Sequence, residues 1–135
     1  MTTRLAGVVV VVVVGVLLAA RPLTAHHAFA AEFDANKPIK LTGAVTKVDW
    51  RNPHTWFFID VKDETGTVTN WGLEMGSPNG LLRLGWTRNS MKIGDVVTVE
   101  GSRARDGSNI ANAQAVVLAS TGQKLFAGSS RNEQP

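Results

Sequence analysis

The chain has 135 residues, 44% of them hydrophobic and 19% charged, with four tryptophans, five phenylalanines, no tyrosine and no cysteine. The missing cysteine excludes a disulfide framework and lipid attachment through an N-terminal cysteine, so stability has to come from burial in one domain-sized core. The formal charge of +3 overstates the basicity: residues 26–135 hold twelve basic and eleven acidic side chains, a net +1, too weak for a nucleic-acid or anionic-membrane surface.

The first 25 residues read as a secretory signal peptide. Arg4 is followed by an apolar run from Leu5 to Ala20 that includes seven consecutive valines, Val8 to Val14. Sixteen residues are short for a span, which needs about 20. Arg21 and Pro22 end the run, because proline lacks an N–H and disfavours helix at the residue before it. Cleavage after Ala25 leaves His26 as the new N-terminus, and the short distance from the apolar run favours it. Ala28-Phe29-Ala30 offers a second cut, and an uncleaved signal anchor is the competing reading. The expected location is periplasmic or secreted, with no stable membrane span after cleavage.

Residues 26–38 form a lead-in without a clear period, closed by Pro38. The β domain is expected over 39–127, with a polar tail at 128–135. A long first strand runs from Ile39 to Trp50. Ile39, Leu41 and Val45 share one parity and Val48 and Trp50 the other, so a bulge is expected, with Gly43 suited to lie near it. After the turn Arg51-Asn52-Pro53-His54, Thr55 to Lys62 is a strand apolar on both faces. Asp63 to Gly66 is a hairpin loop, and Thr67 to Met75 is a third strand with Trp71, Leu73 and Met75 in phase. Ser77 and Pro78 suit an N-cap and first helical position, Leu81, Leu82 and Leu84 give a short apolar stripe, and Gly85 fits the position after the helix. Trp86 to Gly94 connects to a strand from Asp95 to Ala104. Arg105 to Ser108 is a hairpin turn, Asn109 to Ala119 is the next strand, and Gln123 to Ala127 is a candidate short sixth.

This order, with one short helix between the third and fourth strands, resembles the OB-fold, a five-stranded Greek-key barrel. An open β-sandwich is the competing architecture.

Four segments carry a second resemblance. They are His26-His27-Ala-Phe-Ala-Ala-Glu-Phe-Asp34, Leu41 to His54, Trp71-Gly-Leu-Glu-Met-Gly-Ser-Pro-Asn79 and Gly85-Trp-Thr87. Together they resemble an uncharacterised secreted bacterial family catalogued as domain of unknown function 6152. The resemblance implies export and a small β domain, and brings no established activity with it.

Two constellations are candidate sites. OB-folds bind ligands on the face of strands two and three and at the loops joining strands one to two and four to five. Trp50, Trp56 and Trp71, with Arg51, His54, Arg103 and Arg105 from those loops, are therefore candidates for a groove that takes a small ligand or a periplasmic protein. The same tryptophans at strand spacing equally suit a core. The second constellation is His26, His27 and His54. A free α-amine and imidazole on His26, joined by further imidazoles, form an all-nitrogen set suited to Cu(II), the one cofactor the sequence suggests. The competing reading gives His26 and His27 to the processing site and His54 to local hydrogen bonding.

No catalytic constellation is supported. Ser77 with His54 and Asp49 lacks a nucleophile elbow, and Ser77 is better used as a helix cap. Glu74 and Asp60 are two acids on adjacent strands with nothing to mark them as a catalytic pair. The chain also lacks a P-loop, a dinucleotide fingerprint and zinc-type spacing.

Overall fold

In a computed structural model, residues 29–128 are described. Residues 29–32 are helical, and from residue 33 six strands and one helix follow in the order β1 (Phe33–Asp49), β2 (Trp56–Lys62), β3 (Val68–Glu74), α1 (Pro78–Arg83), β4 (Val96–Ala104), β5 (Ile110–Leu118) and β6 (Lys124–Phe126). β1 pairs antiparallel with β2 on one side and β4 on the other. β2 pairs with β3, and β4 with β5, also antiparallel. A short parallel pairing of β3 with β5 closes the ring, with Glu74 opposite Asn112. Hydrogen bonding thus runs continuously through five strands, which is the OB-type barrel rather than an open sandwich. β6 adds to β5 outside the ring.

β1 is long because one strand must serve two neighbours. It meets β4 over residues 33–44 and β2 over residues 44–49. The strand starts at Phe33, six residues before the expected Ile39. Phe33 pairs with Ala104 and the next partner pair is Pro38 with Ser102, so the intervening residues are out of register. That irregularity hides the strand from a search for period two.

The expected bulge is present but lies at Thr46, between Val45 and Lys47, and not beside Gly43. The extra residue reverses parity, so Val45 and then Val48 both pack toward the core. Gly43 serves a different purpose. A Cβ there would sit 2.2 Å from the Asp60 carbonyl oxygen, so the missing side chain allows β1 and β2 to approach.

The barrel interior is built by alternation. Phe57 and Ile59 on β2, Leu73 on β3, and Val97 and Val99 on β4 are fully buried. Trp56 and Phe58 point the other way and are half-buried, so β2 is apolar on both faces but only one face is core. The connector after α1 contributes buried Trp86, whose indole Nε1 donates to the Phe126 carbonyl at 2.9 Å and ties the connector to β6.

Ser77 caps α1 by accepting from the Gly80 N–H at 3.1 Å, with Pro78 at the first helical turn. Gly85 follows with φ +95°. The leucine stripe is narrower than expected: Leu81 is buried, whereas Leu82 and Leu84 are exposed. Adjacent Leu81 and Leu82 point about 100° apart on a helix with about 3.6 residues per turn, and Leu84 is the C-cap beyond the helix.

The β2–β3 loop is organised by Asp63. Its carboxylate accepts from the Thr65 hydroxyl at 2.7 Å and from the Thr65 and Thr67 N–H groups at 2.9 Å. The Thr65 side-chain bond, followed by the Thr67 backbone bond, holds the Asp63 carboxyl below its ordinary value of 3.8. A group depressed in the folded state contributes stability above its unfolded pKa and loses it as the pH falls through the lower folded value. In urea unfolding, Asp63→Asn is therefore expected to be less stable than the parent at neutral pH. The difference should shrink as the pH falls below 3.8. A difference that is constant from neutral to strongly acidic pH would contradict this role.

Candidate functional site

The β1–β2 loop ends in His54 and Thr55, and backbone bonds fix its position. The Thr55 N–H donates to the Gly76 carbonyl at 3.0 Å and the Met75 N–H to the Thr55 carbonyl at 2.8 Å. These bonds continue the β2–β3 ladder past Trp56, which lies opposite Glu74. Glu74 has the outward parity of β3, yet only 4% of it is exposed. His54 Nδ1 stands 3.7 Å from Glu74 Oε2. Asn112 Nδ2 donates to Glu74 Oε1 at 3.2 Å, brought there by the parallel β3–β5 pairing.

A carboxylate taken out of water is costly unless other groups answer its charge. Here an imidazole stands on one oxygen's side and an amide donates to the other. Two further polar atoms are enclosed at this end of the barrel. Thr55 Oγ1 and Asn112 Oδ1 are both buried without a hydrogen-bond partner among the described residues. Buried groups left in this state are uncommon, and a third one, Arg103 Nε, lies beside Trp71.

An aromatic strip adjoins this polar end. Trp56 and Phe58 lie over Gly72, where a Cβ would be 3.1 Å from the Phe58 ring and 3.7 Å from the Trp56 ring. The absence of a side chain at Gly72 lets both rings rest on β3. Lys47 Nζ is 5.5 Å from the centre of the Phe58 ring, a cation–π distance.

The structure divides the expected groove into separate places. His54 and Trp56 belong to the assembly around Glu74. Trp71 is 9% exposed, and the Arg103 guanidinium lies over its ring at 5.2 Å while donating to the Gly107 carbonyl at 2.9 Å. Trp50 is half-buried against the main core. Arg51 Nε pairs with Asp49 Oδ2 at 3.3 Å on the exposed surface. Arg105 Nε donates to the Ala30 carbonyl, and its backbone N–H donates to the Glu32 carbonyl at 2.9 Å. This arginine therefore fastens the segment before β1, where Phe29 and Phe33 pack with Ala104.

Of the three histidines proposed as metal ligands, His54 is described and His26 and His27 lie outside the described residues. Among the described residues no group of three or more His, Cys, Asp or Glu side chains converges. His54 and Glu74 form a pair.

The chain belongs to the Family of unknown function (DUF6152). The family model matches residues 13–113, a span that contains His54, Trp56, Glu74 and Asn112. No curated protein matches the chain. Among the described residues, no helix is long and apolar enough to cross a membrane.

In this member of DUF6152, Glu74 and Asn112 are the site residues that sequence reasoning missed. Counting outward from the expected Asp63–Gly66 loop puts residue 73 opposite residue 56, whereas the observed pairing of Lys62 with Val68 puts Glu74 there, beside the histidine loop. Asn112 had no comparable signal, because its place depends on the parallel β3–β5 seam.

Proposed function

We propose that this protein is an exported binding module that holds its ligand at the end of the β2–β3 outer face, where His54, Trp56, Glu74 and Asn112 meet. The observation that carries this reading is the enclosed Glu74 carboxylate, set between the His54 imidazole and the Asn112 amide beside a half-buried aromatic strip. The position agrees with where OB barrels take their ligands, a fold-level analogy that supports the place and leaves the ligand open. The apolar run before residue 26 supports export.

A ligand that binds only the folded state raises its melting temperature. The exported protein is melted with Cu(II), Zn(II), putrescine or cellobiose in turn. At least one of these is expected to stabilise it. That stabilisation should be lost in Trp56→Ala and kept in Arg105→Ala. Loss in Arg105→Ala with retention in Trp56→Ala would move the site to the arginine loop.

A second reading is periplasmic Cu(II) binding through the mature N-terminal His26, with His27 and His54. It is favoured by the placement of His54 next to a carboxylate. Intact mass and metal content of the exported protein test it. Removal of residues 1–25 with bound copper is the expected result. A chain beginning at Ala31 would lack His26 and His27 and contradict it.

A further inference from the structure

We infer that the helical turn at residues 29–32 is a structural part of the exported domain, latched to the β4–β5 hairpin by Arg105, and that the signal peptide is cut upstream of Phe29 and not after Ala30. This rests on the export reading above and chooses between the two cut sites that the residues offer.

Separate contacts hold the turn to the barrel. Phe29 is 8% exposed and packs with Phe33 and Ala104 in a small cluster apart from the main core. The two phenylalanine rings stand 5.6 Å apart, centre to centre, at 37°. That is a normal spacing for an aromatic pair. The Arg105 backbone N–H donates to the Glu32 carbonyl at 2.9 Å, one step beyond the Phe33–Ala104 pair of β1 and β4. Arg105 Nε donates to the Ala30 carbonyl. That carbonyl belongs to the Ala30–Ala31 peptide, the bond that the second cut would break.

Cutting there would undo most of the latch. Phe29 would leave with the signal peptide, and the buried Phe33 ring would lose its aromatic neighbour. The Ala30 carbonyl would leave as well, so the Arg105 guanidinium would lose its acceptor. The next β1–β4 partner pair after Phe33–Ala104 is Pro38 with Ser102, so little nearby could hold the shortened end. Whether a chain end can be removed depends on the burial and hydrogen bonding of the backbone concerned, and here both oppose removal. In the folded domain the Ala30–Ala31 bond lies inside the turn, so a protease could reach it only after the turn had opened. A cut after Ala25 leaves every one of these contacts in place.

The test is the intact mass of the protein recovered from the periplasm of a bacterium expressing the full chain. A chain beginning at His26 is the expected result, and one beginning at Ala31 overturns the inference. A mass that retains residues 1–25 would mean that the export reading has failed. The latch is then judged on two chains made without the signal peptide, 26–135 and 31–135. The unfolding equilibrium constant of the shorter chain is expected to be raised about tenfold or more, as for the loss of a buried aromatic ring. Equal urea midpoints would overturn the inference. The clamp itself is read by hydrogen exchange in the 26–135 chain. Arg105→Ala is expected to speed amide exchange at residues 29–33 about tenfold or more, and to leave Phe57 and Ile59 in the barrel interior unchanged. Unchanged exchange at residues 29–33 would overturn the inference.

Discussion

Phe57→Ala is expected to destabilise the protein by about 3–5 kcal/mol, the range for removing a buried aromatic ring. Phe57 is 0% exposed and faces the barrel interior, in one cluster with Ile59 and Leu73. The closed ring of strands limits how far the walls can collapse into the space left behind, which favours the upper part of that range. A domain of this size has only about 5–15 kcal/mol in total, so at least about a fifth of its stability depends on one ring. In thermal unfolding the midpoint should fall by about 12 °C or more. A fall of only a few degrees would mean that the barrel interior is less tightly packed than described. Trp56→Ala, one residue away but on the outer face, should cost much less.

Gly43→Ala should be more damaging than a single methyl suggests. The added Cβ would lie 2.2 Å from the Asp60 carbonyl oxygen and 2.8 Å from its carbon. Both are backbone atoms, so no side chain can rotate away. β1 and β2 would have to separate by about 1 Å at the point where β1 also pairs with β4, opposite Val97. Overpacking of side chains costs about 1–3 kcal/mol, and a clash with backbone belongs at or above the top of that range. Lys40→Ala, at an exposed ion pair with Glu100, serves as the control and should change stability by about 0.5 kcal/mol or less. Urea midpoints of the two variants compare these directly, and equal midpoints would contradict the close approach at Gly43.

The same glycine shows which parts of the fold were legible in the sequence. The parity change along β1 correctly announces a bulge, because a strand can keep apolar residues inward only by inserting one. Its position at Thr46 is not announced, since it depends on the approach of β2. Turns were legible because their chemistry is local: Asp63-Glu64-Thr65-Gly66 and Arg105-Asp106-Gly107-Ser108 both form the expected reversals, with Gly66 at φ 86° and Gly107 at φ 79°. The start of β1 at Phe33 was hidden by an irregular register.

The site follows the same division. His54 and Trp56 stand out because a histidine and a tryptophan border a loop. Glu74 looks like an ordinary outward residue between Leu73 and Met75, and its burial becomes visible only when β5 runs alongside. Arg103 and Arg105 occupy the expected loop region, but their guanidinium groups are drawn into contacts with Trp71 and with the backbone at Ala30. No local pattern distinguishes such arginines from ones that face a ligand.

The most direct test of the binding site is an amide NMR map of the isotopically labelled exported protein, titrated with Zn(II) and separately with putrescine. Perturbations centred on Thr55, Trp56, Glu74 and Asn112 are predicted for at least one of the two. Perturbations centred instead on Arg103, Arg105 and the turn that follows them, with those four residues silent, would contradict the account.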